Sequence, residues 1–175
     1  MIPLGGPIQR FGAWVADTWL SAFATSLPWV WPAMETLHFL GLALMVGTIG
    51  VLDLRLLGVA RQLPLAPFER LVPWGVAGFI LNVLTGIVFF AGAPYQYIYN
   101  VAFQWKVIFI AGAGLNILVF YTRVAAATWT VPAGGQAPWA ARLAGGVSLF
   151  LWIGVMYWGR MITFYRPPFV IPPEG

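Results

Sequence analysis

The sequence predicts an all-α integral membrane protein, a four-transmembrane-helix bundle with an N-terminal interfacial helix, as one membrane domain over 1–175. Three observations carry this reading. Of the 175 residues, 61% are hydrophobic and 8% charged, where ordinary soluble domains carry roughly 25% charged residues. Four apolar runs are each long enough to cross a bilayer core, which takes about 20 helical residues. Turn-forming and basic residues collect between those runs, and nothing long enough for a soluble domain is left over. Nine Lys and Arg, five Asp and Glu and one His cannot cover the surface of a water-soluble globule, which excludes a soluble enzyme.

Taken in order, residues 1–10 hold Pro3, Gly5, Gly6 and Pro7 with Arg10 as the single basic residue. They do not have the basic start and apolar run of a cleavable signal peptide. Residues 11–26 carry Trp14, Trp19, Leu20 and Phe23, interrupted by Asp17, Thr18 and Ser21. That pattern predicts a short helix lying in the membrane interface. The spans are expected at about 29–57, 71–91, 103–121 and 143–164. Pro64 and Pro67 punctuate the first link, Pro94, Tyr95, Tyr97 and Tyr99 the second, and Pro132, Gly134, Gly135 and Pro138 the third. Proline at a helix start is tolerated because the first N–H groups have no helical partner. The runs are too long and too uniformly apolar for barrel strands. The tail 167–175 is short and proline-rich.

Orientation follows from the links. Arg55, Arg61 and Arg70 flank the first and Arg123 and Arg142 the third, while the second has no basic residue between Ala91 and Gln104. The positive-inside rule then places the first and third links in the cytoplasm and both termini outside. Arg10, Arg160 and Arg166 fall on the outer side. The net charge of +4 is thus a topology signal; no basic run exists to track phosphates, so nucleic acid is not an expected partner. The absence of Cys removes disulfides, thiolate zinc sites, iron–sulfur clusters and covalent haem attachment.

Ionisable residues inside a span cost free energy, about 2.5–3.5 kcal/mol at the centre, and mark functional positions. Glu35 and His38, three residues apart on one face of the first helix, Asn82 on the second, Lys106 on the third and Arg160 on the fourth all fall in the outer half; Met156 lies one turn deeper than Arg160. Their common depth predicts one site containing Glu35, His38, Lys106 and Arg160, with Glu35 paired to Lys106 or Arg160 when no ligand is bound. Toward the cytoplasm, Asp53 shares the face of Glu35, and Asn116 shares a face with Arg123. An Asp53–Arg123 salt bridge is the expectation there. Gly75, Gly78, Asn82 and Gly86 form a small-residue ridge for close helix packing, with Gly41 and Gly47, and Gly112 and Gly114, as further surfaces.

His38, the single His, admits four uses: haem ligand, metal ligand, proton relay or hydrogen-bonded packing residue. Glu35 and His38 supply two ligands where structural zinc wants four. A b-type haem needs fewer: His38 as axial ligand, Met156 as a possible sixth ligand, and Lys106 with Arg160 against the propionates. A buried Glu35–His38 pair that only orients helices accounts for the same residues. No nucleophile–base pair, phosphate loop or hydrolase motif is visible, so the expectation is a cofactor-holding, electron-carrying or accessory subunit rather than a free-standing catalyst. The alternative is a structural subunit that anchors a larger membrane complex. Its partners would be the lipid bilayer and either another membrane protein or further copies of the chain.

The strings Glu35-Thr-Leu-His38-Phe-Leu-Gly41, Asp53-Leu-Arg-Leu-Leu-Gly58, Thr85-Gly86, Asn100-Val-Ala-Phe-Gln-Trp-Lys106 and Ala113-Gly-Leu-Asn116 resemble a bacterial four-helix inner-membrane family, a domain of unknown function. The resemblance covers most of the chain, from about Trp29 to Tyr121, and implies a bacterial inner-membrane location. More loosely, a helical His followed two spans later by a Lys near a helix start is similar to the copper-resistance D membrane proteins and to the J-type membrane protoporphyrinogen oxidase. In those proteins a His and a Lys serve the haem or porphyrin site, which implies such roles for His38 and Lys106 alone. The second His such proteins often show is missing from this chain.

Overall fold

A computed structural model of the chain describes residues 6–165. Residues 1–5, Arg166 and the tail 167–175 lie outside the described residues. The described residues form eight α-helices and no strand: α1 (Pro7–Ala16), α2 (Trp19–Ser26), α3 (Val30–Leu57), α4 (Val72–Gly92), α5 (Pro94–Ile98), α6 (Val101–Val119), α7 (Ala125–Trp129) and α8 (Trp139–Met161). A 3-10 turn, Ala66–Leu71, leads into α4, and a π-helical turn, Phe120–Val124, joins α6 to α7. Counted with these extensions, four helices of 28, 27, 29 and 23 residues are long and apolar enough to cross a membrane.

Local sequence sets most of the boundaries. Proline opens α1, α4 and α5 near their first positions, where no N–H is needed. The Asn100 side chain accepts from the N–H groups of Ala102 and Phe103 and starts α6. Gly58, at φ 106°, ends α3. Its N–H and that of Val59 return to the carbonyls of Arg55 and Leu54, a closure that needs the left-handed backbone glycine allows.

Two boundaries differ from expectation. The stretch 11–26 is not one helix but two, broken at Asp17–Thr18, because the Thr18 hydroxyl caps the Ser21 N–H and starts a second helix. Instead of lying free, α1 and α2 pack on α4 and α5. Gly12 sits so close to Tyr95 that a Cβ would come within 2.7 Å of its ring. The third span starts at Val101 and continues through the π turn to Trp129. The apolar Ala125–Ala127 carries it past the expected end.

The long helices are arranged with α3 at the centre of one layer, packed on α4 along one flank and on α8 along the other, and with α6 packed on α8. The α3–α4 seam is the closest: a Cβ on Gly78 would lie 2.6 Å from the Gly41 carbonyl oxygen and 2.7 Å from the Met45 nitrogen. Of the small-residue ridge, Gly75, Gly78 and Asn82 meet α3, whereas Gly86 faces open space. Met45, Ile49, Ala113, Trp152 and Val155 form the core where α3, α6 and α8 converge. In contrast, α4 and α6 do not pack along their lengths; the stacked rings of Phe90 and Phe103, 5.9 Å apart, join them at one end.

Arg55, expected to mark a loop by its charge, is instead 1% exposed. It donates from Nε to the Leu63 carbonyl at 2.8 Å and from Nη2 to the carbonyls of Arg61 and Gly135, both at 3.2 Å. The first and third links therefore share one end of the structure. Bonds from Gly134 N–H to the Arg61 carbonyl and from Leu65 N–H to the Val131 carbonyl complete the junction.

Candidate functional site

The polar residues of the spans fall into two groups, one at each end of the long helices. At the end shared with α1, α2 and α5, His38 projects from α3 toward α4. Its Nδ1 lies 2.7 Å from the Thr85 hydroxyl oxygen. The Thr85 hydroxyl has one proton, and that proton goes to the Leu81 carbonyl at 2.8 Å, with the Asn82 carbonyl at 3.2 Å. The oxygen therefore accepts, Nδ1 carries the ring proton, and Nε2 keeps its lone pair. Thr85 is 2% exposed, and Phe89 meets the imidazole edge-on at 5.6 Å between centroids. The ring is thus fixed in tautomer and orientation by one helix face. Such a second partner accompanies most ligating histidines.

The Lys106 ammonium lies within electrostatic reach of this imidazole. The outer end of its side chain lies along Gly159 of α8, where an added Cβ would stand 3.5 Å from Nζ, 3.7 Å from Cε and 3.8 Å from Cδ, in ordinary van der Waals contact. Glu35 takes a different partner from the one expected. It is exposed and accepts from the Trp31 indole N–H at 3.2 Å, a bond within one turn of α3 that needs no cation. Tyr97 lies close to it. Burial pushes the Tyr97 phenol up to about 12, and the Glu35 charge adds to that effect, so the hydroxyl stays a donor.

The remaining expected members are placed elsewhere. Arg160 is exposed, with its guanidinium over the Phe164 ring at 5.8 Å. Asn82 bonds back to the Gly78 carbonyl at 2.9 Å and fills the seam against Gly41. Met156 is half-buried on α8, next to the core residue Val155. His38 and Lys106 are therefore within electrostatic reach of each other, as are Glu35 and Tyr97, and Arg160 is exposed. Among the described residues, no three His, Asp or Glu side chains converge as a metal site.

At the opposite end, Asp53 is 4% exposed. It does not pair with Arg123. The π turn between Asn116 and Arg123 carries an extra residue per turn, so the seven-residue spacing no longer keeps both on one face. Asn116 turns inward and donates to the Ala144 carbonyl at 3.0 Å, while Arg123 is exposed. Ser148 of α8 lines the same cavity as Asp53, and the Asp53 Oδ2 has no hydrogen-bond partner.

Sequence reasoning missed Thr85, Tyr97 and Ser148, whose side chains complete these two groups. Thr85 stands one turn after Asn82 on the same helix face, a spacing that links it to the polar ridge. Ser148 follows Gly145 by three residues on α8, the same kind of signal. Both were masked by the strong packing interpretation of small residues in apolar helices. Comparisons with protein-family models, with characterised proteins and with solved structures give no match for this chain.

Proposed function

We propose that the chain crosses a bacterial inner membrane four times, with both termini on the outer side, and holds a b-type haem as an electron-carrying or accessory subunit. The observation that carries this reading is the His38–Thr85 bond. It leaves Nε2 of a ring already held in place as a ligand, which is how proteins prepare an imidazole for iron. Lys106, half-buried on α6 and within electrostatic reach of His38, would supply a positive charge for a propionate. Met156 would be a second residue to hold the group. The bound haem would supply one-electron chemistry. Arg160, turned to Phe164, takes no part in this reading.

The test is an absorption spectrum of the purified protein in detergent, grown with ample haem supply. Soret absorbance in the native protein and its loss in His38→Ala, with the fold retained, is the expected result. A colourless native protein overturns the haem assignment.

A second reading, a structural subunit of a larger membrane complex, draws on the exposed apolar face of α6, where Ile108, Leu115 and Leu118 are each more than half exposed. Co-purification of a fixed partner that persists in His38→Ala would favour it.

A further inference from the structure

A buried carboxylate needs a proton, a cation or a set of donors, because an isolated charge is penalised heavily in an apolar interior. Asp53 has the Ser148 hydroxyl of α8 as a neighbour in the same cavity, and Oδ2 is left without a partner and shielded from solvent. The carboxylate borders a half-open cavity of about 40 Å³ lined by residues of α3, α4, α6, α8 and the π turn. That is enough room for a bare ion or for one or two waters.

The other polar groups around this cavity also present oxygen. The Asn116 amide nitrogen is committed to the Ala144 carbonyl, so its oxygen is the atom left for the cavity. Ser148 contributes a hydroxyl, and Phe120 and Tyr121 of the π turn close the side. Among the described residues, no side-chain cation forms a salt bridge with the carboxylate. On α3, Arg55 donates from Nε and Nη2 to the loop carbonyls of Leu63, Arg61 and Gly135, and its Nη1 is buried without a hydrogen-bond partner. Arg123 on the π turn, Arg142 on α8 and Glu69 and Arg70 before α4 are all exposed.

We propose that Asp53, Asn116 and Ser148 form a binding site for a monovalent alkali cation. An all-oxygen donor set suits a hard cation. The charge balance selects a monovalent one, since a single carboxylate neutralises one positive charge and a divalent ion would leave a net charge among Leu52, Leu56 and Val72. Asp53 lies four residues before the end of α3 at Leu57, about 6 Å along the helix. The ion therefore has a short path from the loop end. This site is independent of His38 and of any haem.

The test uses the full chain in detergent at pH 8.5 and fixed ionic strength, with choline chloride replaced stepwise by sodium chloride and, separately, by potassium chloride. The expected result is a saturable rise of a few degrees in the unfolding midpoint with at least one of the two ions, as ligand linkage requires. Asp53→Asn, which keeps the shape and removes the charge, should melt at a midpoint that neither ion moves. Ser148→Ala should raise the half-saturating concentration about tenfold, the loss of one donor worth about 1.4 kcal/mol. A native midpoint equal in choline, sodium and potassium overturns the proposal and leaves Asp53 a protonated acid. An equal ion response in native and Asp53→Asn protein overturns it as well.

Discussion

The Arg55 guanidinium holds the Gly135 carbonyl at 3.2 Å, across 80 residues of sequence, and through it the first and third links become one unit. A basic residue that looks like a topology signal is the buried tie of the end that the first and third links share. Each of its carbonyl partners sits in a turn where no helix or strand could satisfy it.

Arg55→Ala should therefore lower unfolding stability by on the order of 3 kcal/mol, since charge-assisted bonds to three carbonyls are lost and those of Leu63 and Gly135 are left unpaired, while that of Arg61 keeps the Gly134 N–H. Gln62→Ala, on the exposed surface of the same link, should stay within about 0.5 kcal/mol of the native protein. Chemical unfolding in mixed micelles, followed by tryptophan fluorescence, checks both. Equal stability of the two variants would remove the tie from the account.

The α3–α4 seam makes a contrasting pair of glycine variants. Gly78→Ala forces a Cβ against the Gly41 carbonyl and the Met45 nitrogen and should cost about 1–3 kcal/mol by overpacking. Gly86→Ala, with nothing within 4 Å, should be neutral or stabilising by up to about 1 kcal/mol through helix propensity. Thermal midpoints of the two variants give the comparison, and the same sign for both would contradict the packing described.

The His38 tautomer is directly observable. Nitrogen-15 spectra of the imidazole should show a protonated Nδ1 and an unprotonated Nε2 in the native protein. Thr85→Val removes the acceptor and should mix the tautomers, while Thr85→Ser keeps the native pattern. If haem is held by His38, Thr85→Val should also weaken it about 10–100-fold, the usual effect of removing a ligand's second partner.

Tyr97 gives a pH signature outside the long helices. Its phenol is pushed up to about 12, above the ordinary value of about 10. The unfolded chain therefore loses this proton first as pH rises. The Tyr97 contribution is fully present below pH 10 and declines between pH 10 and about 12, the direction linkage sets for a raised value. Ultraviolet titration of the native protein and of Tyr97→Phe isolates the group. Glu35→Gln should bring its titration down toward 10; no movement would separate Tyr97 from Glu35.

The absence of cysteine makes topology accessible by single substitutions. Gln62→Cys and Gln136→Cys, in the two links joined by Arg55, should react with an impermeant reagent from the same side of the membrane. Tyr99→Cys should react from the other. Labelling of Gln62→Cys and Tyr99→Cys from one side would refute four crossings.

The sequence by itself determined the helical class and the four long helices, because run length and apolar composition are local quantities that the backbone's need for internal hydrogen bonding turns into helices. The start at Val30 and the end at Gly58 were legible for the same reason, as were the small residues that let α3 and α4 approach. The Thr18 cap, which splits the first helix, was present in the residues but concealed by the continuous apolar pattern around it. Partnership was decided only by the tertiary structure. Depth along a helix does not fix azimuth, so Glu35, Lys106 and Arg160 share a level while turning to Trp31, to Gly159 and to Phe164. Azimuth in turn depends on regular winding, and the π turn at Phe120–Val124 breaks it between Asn116 and Arg123. That single irregular turn separates Arg123 from Asp53 and leaves the carboxylate facing a mostly apolar cavity that Asn116 and Ser148 also line, a result that no count of residues from either end could supply.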